Sequence, residues 1–160
     1  VHAGGHGWKL FVDSDILFFH RPNLLLDWVD HPGNPLCATD VEYAYGYPIE
    51  LLNELAGRPV QERLNTGLLG LRSDDIDWDR MEHWCRTLID RAGTHYYQEQ
   101  ALVALYLAGR THARAPLEDY VTFPRSPEAA ACRAVMHHYV ATSKRLYFQR
   151  NWRRALEVLA

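Results

Sequence analysis

The sequence predicts a single α/β domain. Short apolar runs of strand character alternate along the chain with segments of helical period. Polar turn signals separate them, with no linker, internal repeat or low-complexity tract between. At 160 residues, 48% apolar and 23% charged, the chain has the size and composition of one globular core.

The elements follow in order. Lys9–Val12 runs into Asp13-Ser14-Asp15 and then Ile16-Leu17-Phe18-Phe19. Two apolar runs around a polar break suit a buried strand ending at its carboxyl edge, a turn, and a second strand. Arg21-Pro22 stops the second, and residues 23–29 read as a short helix before the loop 30–35. Residues 37–47 are mixed and aromatic, and 48–56 have helical spacing up to Gly57. Asn65-Thr66-Gly67 reads as a turn feeding the buried strand Leu68-Leu69-Gly70-Leu71. Ser73 or Asp74 is placed to cap the next helix, 77–92, whose apolar face is Trp78, Met81, Trp84, Cys85, Leu88 and Ile89. A second helix is expected over 96–108, loop and short strand over 116–127, and helix over 128–136. Strand or loop then covers 137–141, and an amphipathic helix covers 146–160.

Composition excludes several classes. A net charge of −3 gives no global basic field, so no nucleic-acid partner is expected. No apolar run approaches the ~20 residues of a membrane span. Cys37, Cys85 and Cys132 lie far apart with no CxxC pair, which reads as reduced thiols in a cytoplasmic protein. The chain shows no signal peptide, lacks an initiator Met and enters a strand almost at once, so its true N-terminus is expected to be missing.

Four short motifs can carry chemistry. Asp13-Ser14-Asp15 sets two hard oxygen donors at a strand end, the edge where open α/β sheets bind ligands. Such a pair suits Mn²⁺ or Mg²⁺ with substrate phosphate, although alone it equally fits a solvated turn. His138 precedes Lys144 by six residues, and Lys9 and Lys144 are the only lysines among 17 Lys and Arg. A neutral imidazole can complete a Mn²⁺ sphere and a lysine can neutralise a diphosphate. Asn65-Thr66-Gly67 offers an amide and a close backbone approach, and Glu99-Gln100 offers groups for sugar hydroxyls. Each also has an ordinary reading: a buried histidine, a plain turn, a solvated helix face.

Taken together and in order, the motifs resemble the GT-A glycosyltransferases. Asp-x-Asp, Asn-small-Gly, acidic-Gln and His-aromatic-(four residues)-Lys are most similar to glycosyltransferase family 8, the glycogenin and lipopolysaccharide galactosyltransferase group. The likeness runs from about Lys9 to Lys144. It implies a GT-A fold and a metal-dependent hexosyltransferase with retention of configuration. A nucleotide-diphosphate sugar would be the donor, and a saccharide or lipid-linked glycan the acceptor.

Carried over by position, the resemblance implies Asp13, Asp15 and His138 as Mn²⁺ (or Mg²⁺) ligands. It places Lys144 on the diphosphate, with Ser14, Asn65, Thr66 and Gly67 around the donor and Asn65 beside its sugar. Glu99 and Gln100 fall near the sugar and acceptor, making Glu99, Gln100 and Asn65 the catalytic candidates. The chain departs from the family where Ala141 replaces a Gly, Arg145-Leu146 replace Pro-Trp, and Glu99 replaces Asp. Several strands precede Asp-x-Asp in such enzymes. Residues 1–160 therefore resemble one catalytic domain lacking its N-terminal nucleotide-binding strands.

Two other functions compete. A haloacid-dehalogenase phosphatase also begins with a strand and Asp-x-Asp, with Asp74-Asp75 as its later acidic pair, but Leu17 stands where it wants Thr or Val. A degenerate GT-A domain would bind a nucleotide sugar without transferring it. His2 and His6 sit in a Gly-rich stretch read as loop rather than as a metal site. In the C-terminal helix, Phe148, Trp152, Ala155, Leu156 and Leu159 share one face and Arg150, Arg153 and Arg154 the other. That face can pack on its own domain or lie on the anionic inner surface of a membrane.

Overall fold

The structure, a computed structural model, describes residues 6–158, the side chain of Val158 excepted. Helices and strands are interspersed along the chain, giving the expected α/β class. The organising element is β4 (Leu64–Arg72). It pairs antiparallel with β1 (Trp8–Val12) on one side and with β3 (Leu36–Thr39) on the other. A two-residue strand, β5 (Ala113–Arg114), extends the sheet parallel to β3. Because both neighbours of β4 run against it, β1 and β3 run parallel to each other. Their carboxyl ends therefore flank the amino end of β4.

The apolar run 68–71 follows from burial on both faces of β4. Leu69 and Leu71 join one core with α2 (Ile49–Ala56), α3 (Trp78–Ala92) and α4 (Gln98–Leu107). Leu68 joins another, with Leu25 and Trp28 of α1 (Asn23–Asp30). Gly70 is small because the Trp28 ring lies against it: a Cβ there would come within 2.5 Å. Helix α4 is apolar all round and correspondingly buried; its polar residues sit in its first turn.

A second sheet orders β2 (Ile16–Phe18), β7 (Met136–His138) and β6 (Tyr120–Thr122). Strand β7 runs antiparallel to β2 and parallel to β6. Thr122 ties the sheets together by donating to the Thr39 carbonyl at 3.1 Å.

Several expectations change. Strand β1 is half-buried rather than buried, because it forms an edge of its sheet. Strands β3 and β5 were not foreseen in the mixed stretches that contain them. Asn65-Thr66-Gly67 lies inside β4, not in a turn before it. There the partner of β3 jumps from Leu69, opposite Cys37, to Asn65, opposite Ala38. Thr66, Gly67 and Leu68 bulge from the β3 ladder, a device that re-aims side chains.

Residues 73–75 form their own turn, and Asp77 caps α3 by accepting from the Arg80 N–H at 3.0 Å. Of the face expected for α3, Trp84 and Leu88 are buried, whereas Trp78 and Ile89 are exposed. Helix α4 starts at Gln98, two residues late. The helix expected to reach Met136 is α5 (Ser126–Ala131), ended by Cys132 at φ 49°, because Met136 is committed to β7.

The C-terminal helix is composite. It joins α6 (Lys144–Leu146), a π-helical stretch over Tyr147–Asn151, and α7 (Trp152–Val158). Asn151 and Ala155 turn inward; Asn151 donates to the Ala129 carbonyl at 2.5 Å and Ala155 packs with Phe19 and Cys132. Phe148 (71% exposed), Trp152 (38%) and Leu156 (57%) face outward, so of the expected apolar face Ala155 docks, together with Asn151, while the large side chains do not. Leu159 lies outside the described residues. Among the described residues no helix is long and apolar enough to cross a membrane.

Candidate functional site

The turn Asp13-Ser14-Asp15 carries the chain from one sheet to the other, and strand pairing brings its partner to it. His138, at the end of β7, pairs with Ile16, and the Tyr139 N–H donates to the Asp15 carbonyl at 2.9 Å. The His138 Nε2 stands 3.2 Å from Asp15 Oδ1 and 3.5 Å from Asp13 Oδ2. One ligand atom from each of the three residues lies within 4.8 Å of the others.

Asn65 orients the ring. Its Nδ2 donates to the buried Asp40 carboxylate at 2.9 Å. Its Oδ1 accepts from the Gly67 N–H at 3.0 Å and faces His138 Nδ1 at 3.0 Å. An acceptor opposite Nδ1 places the ring proton there and turns the Nε2 lone pair toward the two aspartates. Two carboxylates and an imidazole nitrogen facing one another make a donor set that could hold a metal ion. The mixed oxygen and nitrogen set fits Mn²⁺, with Mg²⁺ as the harder alternative. Asn65 and Asp40 behind the histidine supply the outer hydrogen bonds that a ligating imidazole requires.

These residues line a cavity of about 700 Å³, the size range of small-molecule sites. Topology explains the convergence. Asp13 and Asp40 follow the parallel strands β1 and β3, and Asn65–Gly67 is the start of β4 between them. Gln100 reaches in from the first turn of α4, donating to the Ala44 carbonyl at 2.7 Å and to Asp40 at 3.4 Å. Its Oε1 accepts from the Thr66 N–H at 3.4 Å. Glu99 also lines the cavity and is exposed. Lys144 sets its Nζ 3.0 Å from Asp15 Oδ2, and that hydrogen bond raises the ammonium pKa above its ordinary value. Ser14 is exposed and does not line the cavity.

Five carboxylates (Asp13, Asp15, Asp40, Glu42, Glu99) face two cationic side chains (Arg125, Lys144) around this space. That imbalance favours a divalent cation and disfavours a bare diphosphate. Phe123 at φ 59° and Ala141 at φ 47°, both left-handed without being glycine, also line it. Such backbone concentrates at functional sites.

Sequence reasoning missed Asp40, Arg125 and the rim tyrosines Tyr96 and Tyr97. The signal for Asp40 was present: an apolar segment, Leu36–Thr39, ends in an aspartate just as Lys9–Val12 does. The acidic pair of the phosphatase reading lies outside the cavity. Asp74 instead accepts from His6 at 2.8 Å and the Gly7 N–H at 2.9 Å, contacts that lower its pKa to about 2. His2 lies outside the described residues.

The sequence matches no protein-family model and no curated protein. The chain is similar to a solved glycosyltransferase structure, among others. That solved structure is the crystal structure of a glycosyltransferase involved in the glycosylation of the major capsid of PBCV-1. The two share 16% identity at a TM-score of 0.46, over 96% of this chain and 67% of that one.

Proposed function

We propose that this domain is a GT-A glycosyltransferase that uses Mn²⁺, or Mg²⁺, to move a sugar from a nucleotide-diphosphate donor to a hydroxyl acceptor. The observation that carries the reading is the convergence of Asp13, Asp15 and His138 at one wall of a cavity that Lys144 also lines.

In this reading Asp13, Asp15 and His138 hold the ion, which when bound offsets charge on the diphosphate. Lys144, poised on Asp15, turns to the same phosphates and stabilises the leaving group electrostatically. The Asp40–Asn65 pair fixes the His138 ring, and Gln100 braces Asp40 from α4. Glu99, exposed in the cavity, is a carboxylate able to orient an acceptor hydroxyl. No protein nucleophile is invoked. Departure and attack on one face of the sugar give retention.

The acceptor in this reading is a saccharide, presented free or on a lipid. The outward face of Phe148, Trp152 and Leu156 beside Arg150 and Arg153 supports a chain that rests on an anionic membrane surface.

The test is Mn²⁺ binding followed by electron paramagnetic resonance, with nucleoside-diphosphate binding and donor turnover measured on the same protein. Asp13→Ala and Asp15→Ala are each expected to lose Mn²⁺ binding and metal-dependent turnover. Full turnover in either variant would sink the metal assignment. Donor binding without turnover in the wild type would make the domain a nucleotide-sugar binder.

A further inference from the structure

Helix α4 separates two cavities. Ten residues span about 15 Å. Its first turn faces the candidate metal site, while Leu105 and Tyr106 at its other end face a second cavity of about 320 Å³. Three arginines from three segments line that space: Arg58 beyond α2, Arg80 in the first turn of α3, and Arg110 beyond α4.

Among the described residues none of the three is in an ion pair. All three are exposed, and each guanidinium lies against a neighbouring group. The Arg80 guanidinium stands 4.6 Å from the Trp84 ring centre, and that of Arg110 stands 4.5 Å from the Tyr106 ring centre. Arg58 lies against Gly109, where a Cβ would come within 2.0 Å of its guanidinium nitrogen. The one carboxylate lining the space, Asp77, is engaged as the cap of α3. Tyr106 is 6% exposed, and its hydroxyl is buried without a hydrogen-bond partner. Buried hydroxyls without partners are uncommon.

We infer that this cavity binds a phosphate group. Guanidinium forks match phosphate oxygens in pairs, and arginines held on aromatic faces lose little freedom when they bind. Two of the three guanidiniums, those of Arg80 and Arg110, sit on rings; together the three exceed the charge of Asp77, and the unpartnered Tyr106 hydroxyl is a further donor. The volume leaves room for what the phosphate is attached to. The inference stands on this cluster alone and is independent of the glycosyltransferase reading.

The experiment titrates the full chain with inorganic phosphate in EDTA, followed by calorimetry and thermal melting, against sodium chloride of equal ionic strength. Saturable binding of one phosphate is expected, with a melting point that rises with phosphate and not with chloride. Arg58→Met and Arg110→Met should each weaken it at least tenfold, and Tyr106→Phe a few-fold, with unchanged circular dichroism. Asp13→Ala, at the other end of α4, should leave it intact. An equal chloride effect, or full affinity in both arginine variants, would overturn the site. So would a loss in Asp13→Ala with none in the arginine variants. Vesicles of phosphatidylcholine and phosphatidylglycerol separate the sources. Vesicle binding lost in the arginine variants supports the site with a lipid phosphate as its ligand, and vesicle binding unaffected by them supports it with a soluble phosphate ester.

Discussion

The His138 ring occupies the space that a side chain at Gly67 would need. A Cβ built on Gly67 would lie 2.1 Å from His138 Cε1 and 2.8 Å from Nε2. The bulge in β4 and the end of β7 therefore meet without a gap, and the ring is held from below by Gly67 and from Nδ1 by Asn65.

Gly67→Ala is expected to push the ring off its present line toward Asp13 and Asp15. Displacing a ligating histidine should cost about 10–100-fold in metal affinity. Overpacking should cost about 1–3 kcal/mol of stability. Mn²⁺ titration and urea denaturation of one sample read both; unchanged affinity would mean that His138 does not ligate.

Asp40 accepts from both Asn65 and Gln100 in a buried setting. Asp40→Ala strands the Asn65 amide, at about 1–3 kcal/mol, while Gln100 keeps its bond to the Ala44 carbonyl. Metal affinity should fall about tenfold as Asn65 loses its orientation. Asp40→Asn keeps an acceptor in place and should recover most of the metal affinity. If the alanine and asparagine variants bind Mn²⁺ equally, Asp40 has no role in holding the histidine.

Ala141 adopts φ 47°, left-handed backbone that costs a non-glycine residue about 1–2 kcal/mol. The family that this sequence resembles carries glycine there. Ala141→Gly should relieve that strain and lose part of the gain to the freer unfolded chain, for a net stabilisation of about 0.5–1 kcal/mol. Equilibrium urea unfolding measures it, and a destabilised variant would contradict the left-handed geometry.

The double variant Phe148→Ala, Trp152→Ala removes the outward apolar surface of the C-terminal helix, leaving the buried contacts of Asn151 and Ala155 in place. Sedimentation with vesicles containing phosphatidylglycerol should fall several-fold at unchanged melting temperature. Retained sedimentation would remove the membrane from the proposed function.

Much of this was legible along the chain. Residues 68–71 are a continuous apolar run, and a strand covered on both faces has no other way to look, whereas the edge strand β1 looked more buried than it is. The helix over 77–92 announced itself by period and by Gly93. Asp13 and Asp15 stood out because a strand end is where a carboxylate escapes the core. Other features were not legible, because partners at long separation set them. Asn65-Thr66-Gly67 looks like a turn until β3 pairs with β4 on both sides of it. Met136 looks helical until β2 and β6 claim it. The apolar face of the last helix looked ready for a core, but the π-helical stretch over Tyr147–Asn151 put Asn151 inside instead.

By itself, then, the sequence determined the α/β class, the order of the main elements and the residue types able to take a cation, because period, breakers and side-chain chemistry are local properties. The order of its motifs also grouped Asp13, Asp15 and His138 through their resemblance to a family, but tertiary structure decided how they meet across more than 120 positions of chain, with Asp40 behind Asn65 to hold the ring. It decided equally that Arg58, Arg80 and Arg110 share one cavity. The reason is physical: strand pairing and helix packing fix distances between residues whose separation along the chain carries no information about them.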